Sequence, residues 1–538
     1  MRSSTLTLTA TLLSLAGSVA LAQQRPAPPE VTTSANLKEI VFDWDPVPNA
    51  YTYWLFEKAY DPTKRTFFTP IKDRIPGSQT FTLLSVAVHQ FNWWRNEYII
   101  AACNTAGCTR STAMTLVDLM LDSIGYVKAS NTGAGDAFGR SVILSADGST
   151  LAVSAPGEDS IATGVNGNQA DNSSADSGAV YVFKRTGRAW AQEAYLKGGV
   201  NHPGQGFGAP LDTNSKTIAL SADGNWLAVG APAQGTTLSH SGAVYLFRRN
   251  GATWTLATTL QNATPSAEDQ FGFSVDMSQD GRTLKVSSMN PVDGDGNPRG
   301  RTHIYTRPGD TWQHSVTLAP YFAGDRCPTV RMTGKGNTLI AACANPATGS
   351  ARGVMLRLIN GAWVRVADIP LRAFKTDQQL AVDYHGTRLW IWDGFANIGR
   401  YYWREGAWAL ESTHLGPQDG EWPAAIEFDT QGDNASFSDL VAITAGAGVV
   451  EQNMCCGNQE GASYMFRYID SSRPVHQPRP TVKAANPGFQ DQFGMSMSFS
   501  GNGRIFAVGA PGEDSAATGV DGNRTSEGAV DSGAVYLY

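Results

Sequence analysis

Two stretches far apart in this chain carry nearly the same row of oxygen-bearing side chains. Ala155-Pro-Gly-Glu158-Asp159-Ser160-Ile-Ala-Thr163-Gly164-Val-Asn166-Gly167-Asn168 runs on to Asp176-Ser177-Gly178. Ala510-Pro-Gly-Glu513-Asp514-Ser515-Ala-Ala-Thr518-Gly519-Val-Asp521-Gly522-Asn523 runs on, over an equal length, to Asp531-Ser532-Gly533. Carboxylates and amides interleaved with glycine offer hard oxygen ligands on a bendable backbone, which suits Ca²⁺. The candidate ligands are therefore Glu158, Asp159, Asn166, Asn168 and Asp176, with Glu513, Asp514, Asp521, Asn523 and Asp531. The competing reading is that these side chains cap the turns of their own loops. A further place is Asp293-Gly-Asp295-Gly-Asn297, where oxygens alternate as at the start of a calcium loop, although no bidentate Glu follows. Asp429, Asp433 and Asp439 form a sparser series.

Other chemistry leaves fewer marks. The eight His are scattered, with no metal-ligand spacing. There is no Gly-x-Ser-x-Gly elbow, no His-Glu-x-x-His and no phosphate loop. An active site gathered from distant residues needs no local motif. A glycan-cleaving centre of that kind requires paired carboxylates roughly 5–10 Å apart. The formal net charge of −7 argues against nucleic acid as a partner.

The first residues read as an export signal: Arg2, an apolar run from Leu6 to Leu21, then Ala20-Leu21-Ala22 with cleavage after Ala22. An uncleaved membrane anchor is the alternative. No later stretch is long enough to span a bilayer. The expected location is secreted, periplasmic or at the cell surface. Six cysteines fit such a compartment. Cys103 and Cys108 flank a four-residue turn and face each other in a hairpin. Cys327 and Cys343 lie nearly symmetric about Gly334-Lys335-Gly336-Asn337, which predicts a second cross-strand bridge. Cys455-Cys456 are adjacent and read as a vicinal disulfide, as two thiols or as a redox pair.

The elements that must hold these residues repeat. In residues 136–197, Asp136-Ala137-Phe138-Gly139 leads into strand a, Arg140 to Leu144. Ser145-Ala146-Asp147-Gly148 turns the chain. Leu151 to Ser154 is strand b, and a long loop reaches Ser177-Gly178. Ala179 to Phe183 is strand c, and a turn with Trp190 leads to strand d, ending at Tyr195-Leu196-Lys197. Phe-Gly returns at Phe207-Gly208, Phe271-Gly272 and Phe493-Gly494. The a–b turn returns at Ser221, Ser278 and Ser500, and the tryptophan at Trp254, Trp312, Trp363 and Trp408, where it reads as packing. Repeats 4 to 6 have lost Phe-Gly but keep the strand rhythm. Radially repeated four-stranded units make an all-β propeller. The last repeat stops after strand c at Tyr538, and an orphan strand, Ile124 to Lys128, precedes the first. The orphan is expected to complete the last blade and close a ring of seven, which pairs an otherwise open edge. An open solenoid is the alternative.

Phe-Gly followed by Gly-Ala-Pro and Gly-Ala-Val-Tyr resembles the FG-GAP repeat family and the propeller of integrin alpha subunits. The match spans residues 124–538, clearest in repeats 1, 2 and 7. The resemblance implies a seven-bladed β-propeller for extracellular recognition or adhesion, often with calcium in its loops. The family's Asp-x-Asp-x-Asp-Gly loop between strands a and b is missing here, because those turns are too short.

Upstream, residues 23–35 read as a Pro-, Gln- and Thr-rich linker. Residues 36–118 read as a β-sandwich. Trp44, Pro46, Tyr98 and Cys103-Asn-Thr-Ala-Gly-Cys108 resemble a fibronectin type III module. Phe91-Asn92-Trp93-Trp94-Arg95 is either a packed edge or an exposed aromatic platform. The functional expectation is a secreted recognition protein that binds an extracellular protein or glycan on its long-loop face, with calcium assisting. The rivals are a glycan-cleaving propeller enzyme and a structural envelope component.

Overall fold

The computed structural model describes residues 23–36, 39–59, 65–85, 96–116, 119, 123–187, 189–211, 215–235, 238–289, 300–318, 321, 326–345, 348, 350–371, 380–392, 397–415, 423–428, 439–445, 462–468, 481–482, 484–488 and 490–538. The chain divides into two compact units, residues 1–85 with 92–119, and residues 86–91 with 120–538. No helix among the described residues is long and apolar enough to cross a membrane.

The first unit holds two antiparallel sheets. One has Glu39–Trp44 between Val31–Asn36 and Phe81–Ser85. The other runs Thr69–Pro76, Thr52–Lys58, Glu97–Asn104, Gly107–Arg110. Ile40, Phe42 and Trp44 are buried, as are Tyr53, Leu55, Tyr98 and Ile100. That period of two puts one face of each strand inward. Trp44 lies 4.9 Å from Tyr53 and Phe42 lies 5.8 Å from Tyr98, so these rings fill the space between the sheets. Cys103 pairs with Cys108 in register, and the two form a disulfide.

One boundary is corrected. Residues 31–35, expected in a linker, belong to the strand Val31–Asn36, which pairs along its whole length with Glu39–Trp44. Val31-Thr32-Thr33 is a β-branched run, and such residues favour the extended backbone. The polar stretch before it is also tied down, since Asn104 Nδ2 donates to the Gln24 carbonyl at 2.7 Å.

The second unit is a β-propeller. Among the described residues it contains seven four-stranded antiparallel sheets, numbered here 1 to 7 in chain order of their first strands. Sheet 1 is Ser141–Leu144, Thr150–Ala155, Ala179–Thr186 and Ala189–Leu196. Sheets 2 to 6 begin with Ile218–Leu220, Ser274–Met277, Arg326–Met332, Leu380–Val382 and Pro423–Phe428. Sheet 7 is Ser496–Phe499, Phe506–Ala510, Ala534–Leu537 and, from the start of the unit, Gly125–Val127. The first strand of each sheet abuts that of the next, and sheet 7 abuts sheet 1, so these strands form a closed circuit. Tyr126 sits opposite Tyr536, and Val127 opposite Val535. Cys327 and Cys343 bridge the first two strands of sheet 4.

The repeated motifs are the joints between sheets. Phe138 packs edge-on against Tyr181 at 5.5 Å and Phe183 at 6.1 Å. Phe493 repeats this against Tyr536 and Tyr538. The backbone N–H of three such phenylalanines donates to the preceding sheet: Phe207 to Ser177 at 3.1 Å, Phe271 to Ser241 at 3.1 Å, Phe138 to Ser532 at 3.0 Å. A Cβ on Gly533 would sit 2.1 Å from the Phe138 carbonyl oxygen, and one on Gly139 would sit 2.4 Å from that of Ala534. Glycine is required at both places because the backbones touch. The joint from sheet 7 to sheet 1 thus matches those further round the ring.

The a–b turns form a second belt. Gly501 N donates to Ala146 O at 2.8 Å, Ala146 N to Ala222 O at 3.0 Å, Ala222 N to Gln279 O at 2.9 Å, and Gln279 N to Gly334 O at 2.8 Å. In the turns of sheets 1, 2, 3 and 7 a serine supplies the fold: Ser145 Oγ accepts from Thr150 N, Ser221 Oγ from Trp226 N, Ser278 Oγ from Thr283 N and Ser500 Oγ from Ile505 N, each at 2.9 Å. Trp190, Trp254, Trp312 and Trp408 are buried, as packing residues are.

Candidate functional site

The twin loops lie at the end of the ring opposite the a–b turns, because strand b, Thr150–Ala155 or Phe506–Ala510, runs from the turn to the loop. Each is braced by a buried ion pair. In sheet 1, Glu158 Oε2 is 2.7 Å from Lys197 Nζ, and that ammonium also donates to Ser177 Oγ at 2.8 Å. In sheet 7, Glu513 Oε2 is 2.8 Å from Lys128 Nζ, which donates to Ser532 Oγ at 2.7 Å. All four side chains are buried. Charges removed from water persist only when paired and hydrogen-bonded. The remaining oxygens are satisfied in parallel: Asn131 Nδ2 reaches Glu158 Oε1 at 3.1 Å, and Asn486 Nδ2 reaches Glu513 Oε1 at 3.0 Å. The tyrosines of Gly-Ala-Val-Tyr hold those asparagines, Tyr181 at 2.6 Å and Tyr536 at 2.7 Å. Burial holds both lysines below the usual ammonium range, against the pull of their glutamates.

Most of the other loop candidates accept from backbone N–H groups of the loop itself or of the outer strand beside it. Asp159 Oδ1 accepts from Asp176 N and Asp514 Oδ1 from Asp531 N, each at 2.8 Å. Asn166 Oδ1 accepts from Tyr195 N at 2.9 Å, and Asp521 Oδ1 from Tyr126 N at 3.1 Å. Asn168 and Asn523 cap residues two further on. Asp176 and Asp531 adopt left-handed backbone, φ 54° and 52°. The oxygens of Asp159, Asp514, Asn168 and Asn523 therefore cap turns of their loops, and those of Asn166 and Asp521 tie the loops to the outer strand of each sheet. Among the described residues no three His, Cys, Asp or Glu stand where they could hold a metal ion. Asp293, Asp295, Asn297, Asp429, Asp433, Phe91–Arg95, Cys455, Cys456 and residues 1–22 lie outside the described residues, and Asp439 is described by its backbone alone.

Residues 128–138 run between the two loops and bond to both. Thr132 Oγ1 donates to Ala517 O at 2.8 Å, and Asn131 Nδ2 to Gln169 O at 2.8 Å. The loops are thereby brought side by side. Their outer side chains, Ile161 and Val530 among them, remain exposed.

The loops also enclose two carboxyls that the sequence reading passed over. Burial pushes Asp136 and Asp491 up to about 7, opposed by backbone N–H groups and reinforced by Glu158 and Glu513 respectively. The signal was present, since Asp136, Asp269 and Asp491 each stand two residues before a Phe-Gly.

Along the ring axis, at the a–b turn end, lies a cavity of about 160 Å³. Its described lining contains one carboxylate, Asp276. Asp276 Oδ2 is 3.1 Å from Lys285 Nζ and accepts from Met332 N at 3.2 Å. The carboxylate pair expected of a glycan-cleaving centre has no counterpart among these lining residues. Lys285 also escaped the sequence reading. It stands where sheets 1, 2 and 7 carry Ala152, Ala228 and Ala507, and superimposing the repeats exposes it.

No family model and no curated protein matches this chain. Among solved structures, a Myceliophteria thermophila Cps50 (Swd1) β-propeller domain is 9% identical, covering 77% of this chain and 99% of its own, with a TM-score of 0.46. A chain of a mitotic checkpoint complex is 13% identical, covering 71% of this chain and 87% of its own, with a TM-score of 0.42.

Proposed function

We propose that the chain is a secreted recognition protein of FG-GAP type. In this reading the seven sheets are the blades of an integrin-alpha-like propeller, preceded by a fibronectin type III-like sandwich. The propeller binds an extracellular protein or glycan on the face formed by residues 156–178 and 511–533. The supporting observation is the bracing of both loops from within. A loop of this length without strands is ordinarily mobile or functional. Here each is anchored by a buried Lys–Glu pair, so its outer side chains are presented in fixed positions. Preorganised surfaces lose less entropy on binding. Calcium would have to recruit oxygens that the loops already use for capping.

Glycan and matrix-protein arrays test this reading. Replacing both loops with short Gly-Ser turns is expected to abolish binding, and undiminished binding would reject the face. A melting temperature that rises with calcium would restore the metal, by preferential binding to the native state. One that neither calcium nor chelator moves removes it.

A further inference from the structure

The axial cavity is built differently from the loop face. Three cations converge on it from three adjacent sheets. Lys216 precedes the first strand of sheet 2, Lys285 lies on the second strand of sheet 3, and Arg331 lies on the first strand of sheet 4. Lys216 and Arg331 line the cavity directly. Lys285 lies just behind, fully buried, with its ammonium on Asp276, on Ser274 Oγ at 2.9 Å and on the Val330 carbonyl at 2.9 Å. Arg331 Nη1 reaches the same Ser274 hydroxyl at 3.3 Å. Burial pushes Lys285 down to about 8, with Asp276 opposing and the positive charges of Arg331 and Lys216 adding to the effect. Lys285 therefore senses both of the other cations, and among the described lining residues Asp276 is the one carboxylate.

The rest of the described wall carries the apolar side chains of Leu144, Leu220, Met332, Leu380 and Phe499, together with the polar ones of Gln279, Tyr384 and Ser498. A cavity whose wall combines cations with apolar side chains suits an anion carried on an apolar body. A planar guanidinium beside an ammonium suits a carboxylate, whose two oxygens it can engage together. The volume of about 160 Å³ is well below that of pockets for drug-sized ligands, so the occupant is compact. We propose that the axial cavity binds a carboxylate on a short branched apolar stem, with Lys216 and Arg331 holding the charge. A free small acid and the C-terminus of a peptide ending in leucine share that chemistry.

Calorimetric titration of the full chain with isovalerate and with isovaleramide tests the proposal without any substitution. The acid is expected to bind at least about tenfold more tightly than the amide. Lys216→Gln and Arg331→Gln should each weaken isovalerate roughly ten- to hundredfold, the range for loss of a charge-assisted contact. Lys335→Gln, exposed on a neighbouring turn, serves as the charge control and should leave binding unchanged. Gly-Gly-Leu as free acid and as C-terminal amide separates the sources: competition by the acid alone identifies a chain end, and its failure beside bound isovalerate identifies a small free acid. Equal binding of isovalerate and isovaleramide, or binding of neither, overturns the proposal. So does an unchanged affinity in both glutamine variants.

Discussion

Sheets 1 and 7 use the same parts in different covalent settings. Both have a glutamate in the b–c loop, a lysine following the outer strand, a serine before Gly-Ala-Val-Tyr, and a tyrosine–asparagine clamp. In sheet 1 these lie on one continuous stretch, with Lys197 and Glu158 separated by 39 residues. In sheet 7 the lysine is Lys128, 385 residues from Glu513. One ion pair stiffens a loop; its copy also fastens the two ends of the ring. The difference teaches that closure here rests on more than strand pairing. The edge of Gly125–Val127 is joined by a buried charge pair and by Tyr126 OH donating to Glu513 Oε1 at 2.7 Å.

Breaking the two pairs separately is the strongest test of that contrast. Lys128→Met and Lys197→Met each leave a buried carboxylate uncompensated, at a cost of about 3–5 kcal/mol in denaturant unfolding. Lys128→Met alone is expected to open the ring, read as protease cleavage or rapid amide exchange at residues 125–127. Equal protection of those residues in both variants would show that the strand holds without the pair. Lys128→Met combined with Glu513→Leu should recover much of the loss, because an apolar pair replaces a desolvated one.

The backbone joints come next in size. Gly139→Ala places a methyl group against the Ala534 carbonyl in left-handed backbone, φ 95°, and should cost about 1–3 kcal/mol or more. Gly251→Ala also has positive φ, but nothing lies within 4 Å of the added methyl, so a smaller fall in melting temperature is expected.

A pH titration sharpens the comparison further. Asp136 and Asp491 have values raised to about 7 from an ordinary 3.8. Between those limits the native state binds the extra proton, so their contribution is full at acid pH and is lost as pH rises through about 7. Asp136→Asn and Asp491→Asn should each flatten the fall in stability between about pH 4 and 7, by at most about 1.4 kcal/mol per pH unit. Matched effects would establish that the two loop interiors are electrostatic copies. The smallest effect belongs to the outer loop surface: Ile161→Ser and Val530→Ser should shift stability by less than about 0.5 kcal/mol.

Much of the scaffold is legible in the sequence because it is written locally. Alternation marks the strands, Ser-Ala-Asp147-Gly and its copies mark the turns, and the orphan segment around Tyr126 points to its place beside Tyr536. The cysteine pairs at 103–108 and 327–343 follow from symmetry about a turn. The loop carboxylates are harder, because composition names an oxygen without saying which way it faces. Glu158 and Asp159 look alike as calcium ligands, yet one is sealed against Lys197 and the other caps Asp176 N. Lys216, Asp276, Lys285 and Arg331 are remote from one another in sequence, and only the closed circuit of first strands gathers them. Val31–Asn36 was hidden by its polar surroundings, since an edge strand with one exposed face needs few apolar residues.

The strand that completes sheet 7 is only three residues long, and its brevity has a bearing on biosynthesis. Gly125–Val127 leaves the ribosome early, whereas its mate, Ala534–Leu537, is made hundreds of residues later. Throughout that interval the nascent chain carries a β-edge with no native neighbour to receive it. So short a segment gives passing polypeptides little to template on. The toroid can therefore wait for its final strand without inviting the wrong one.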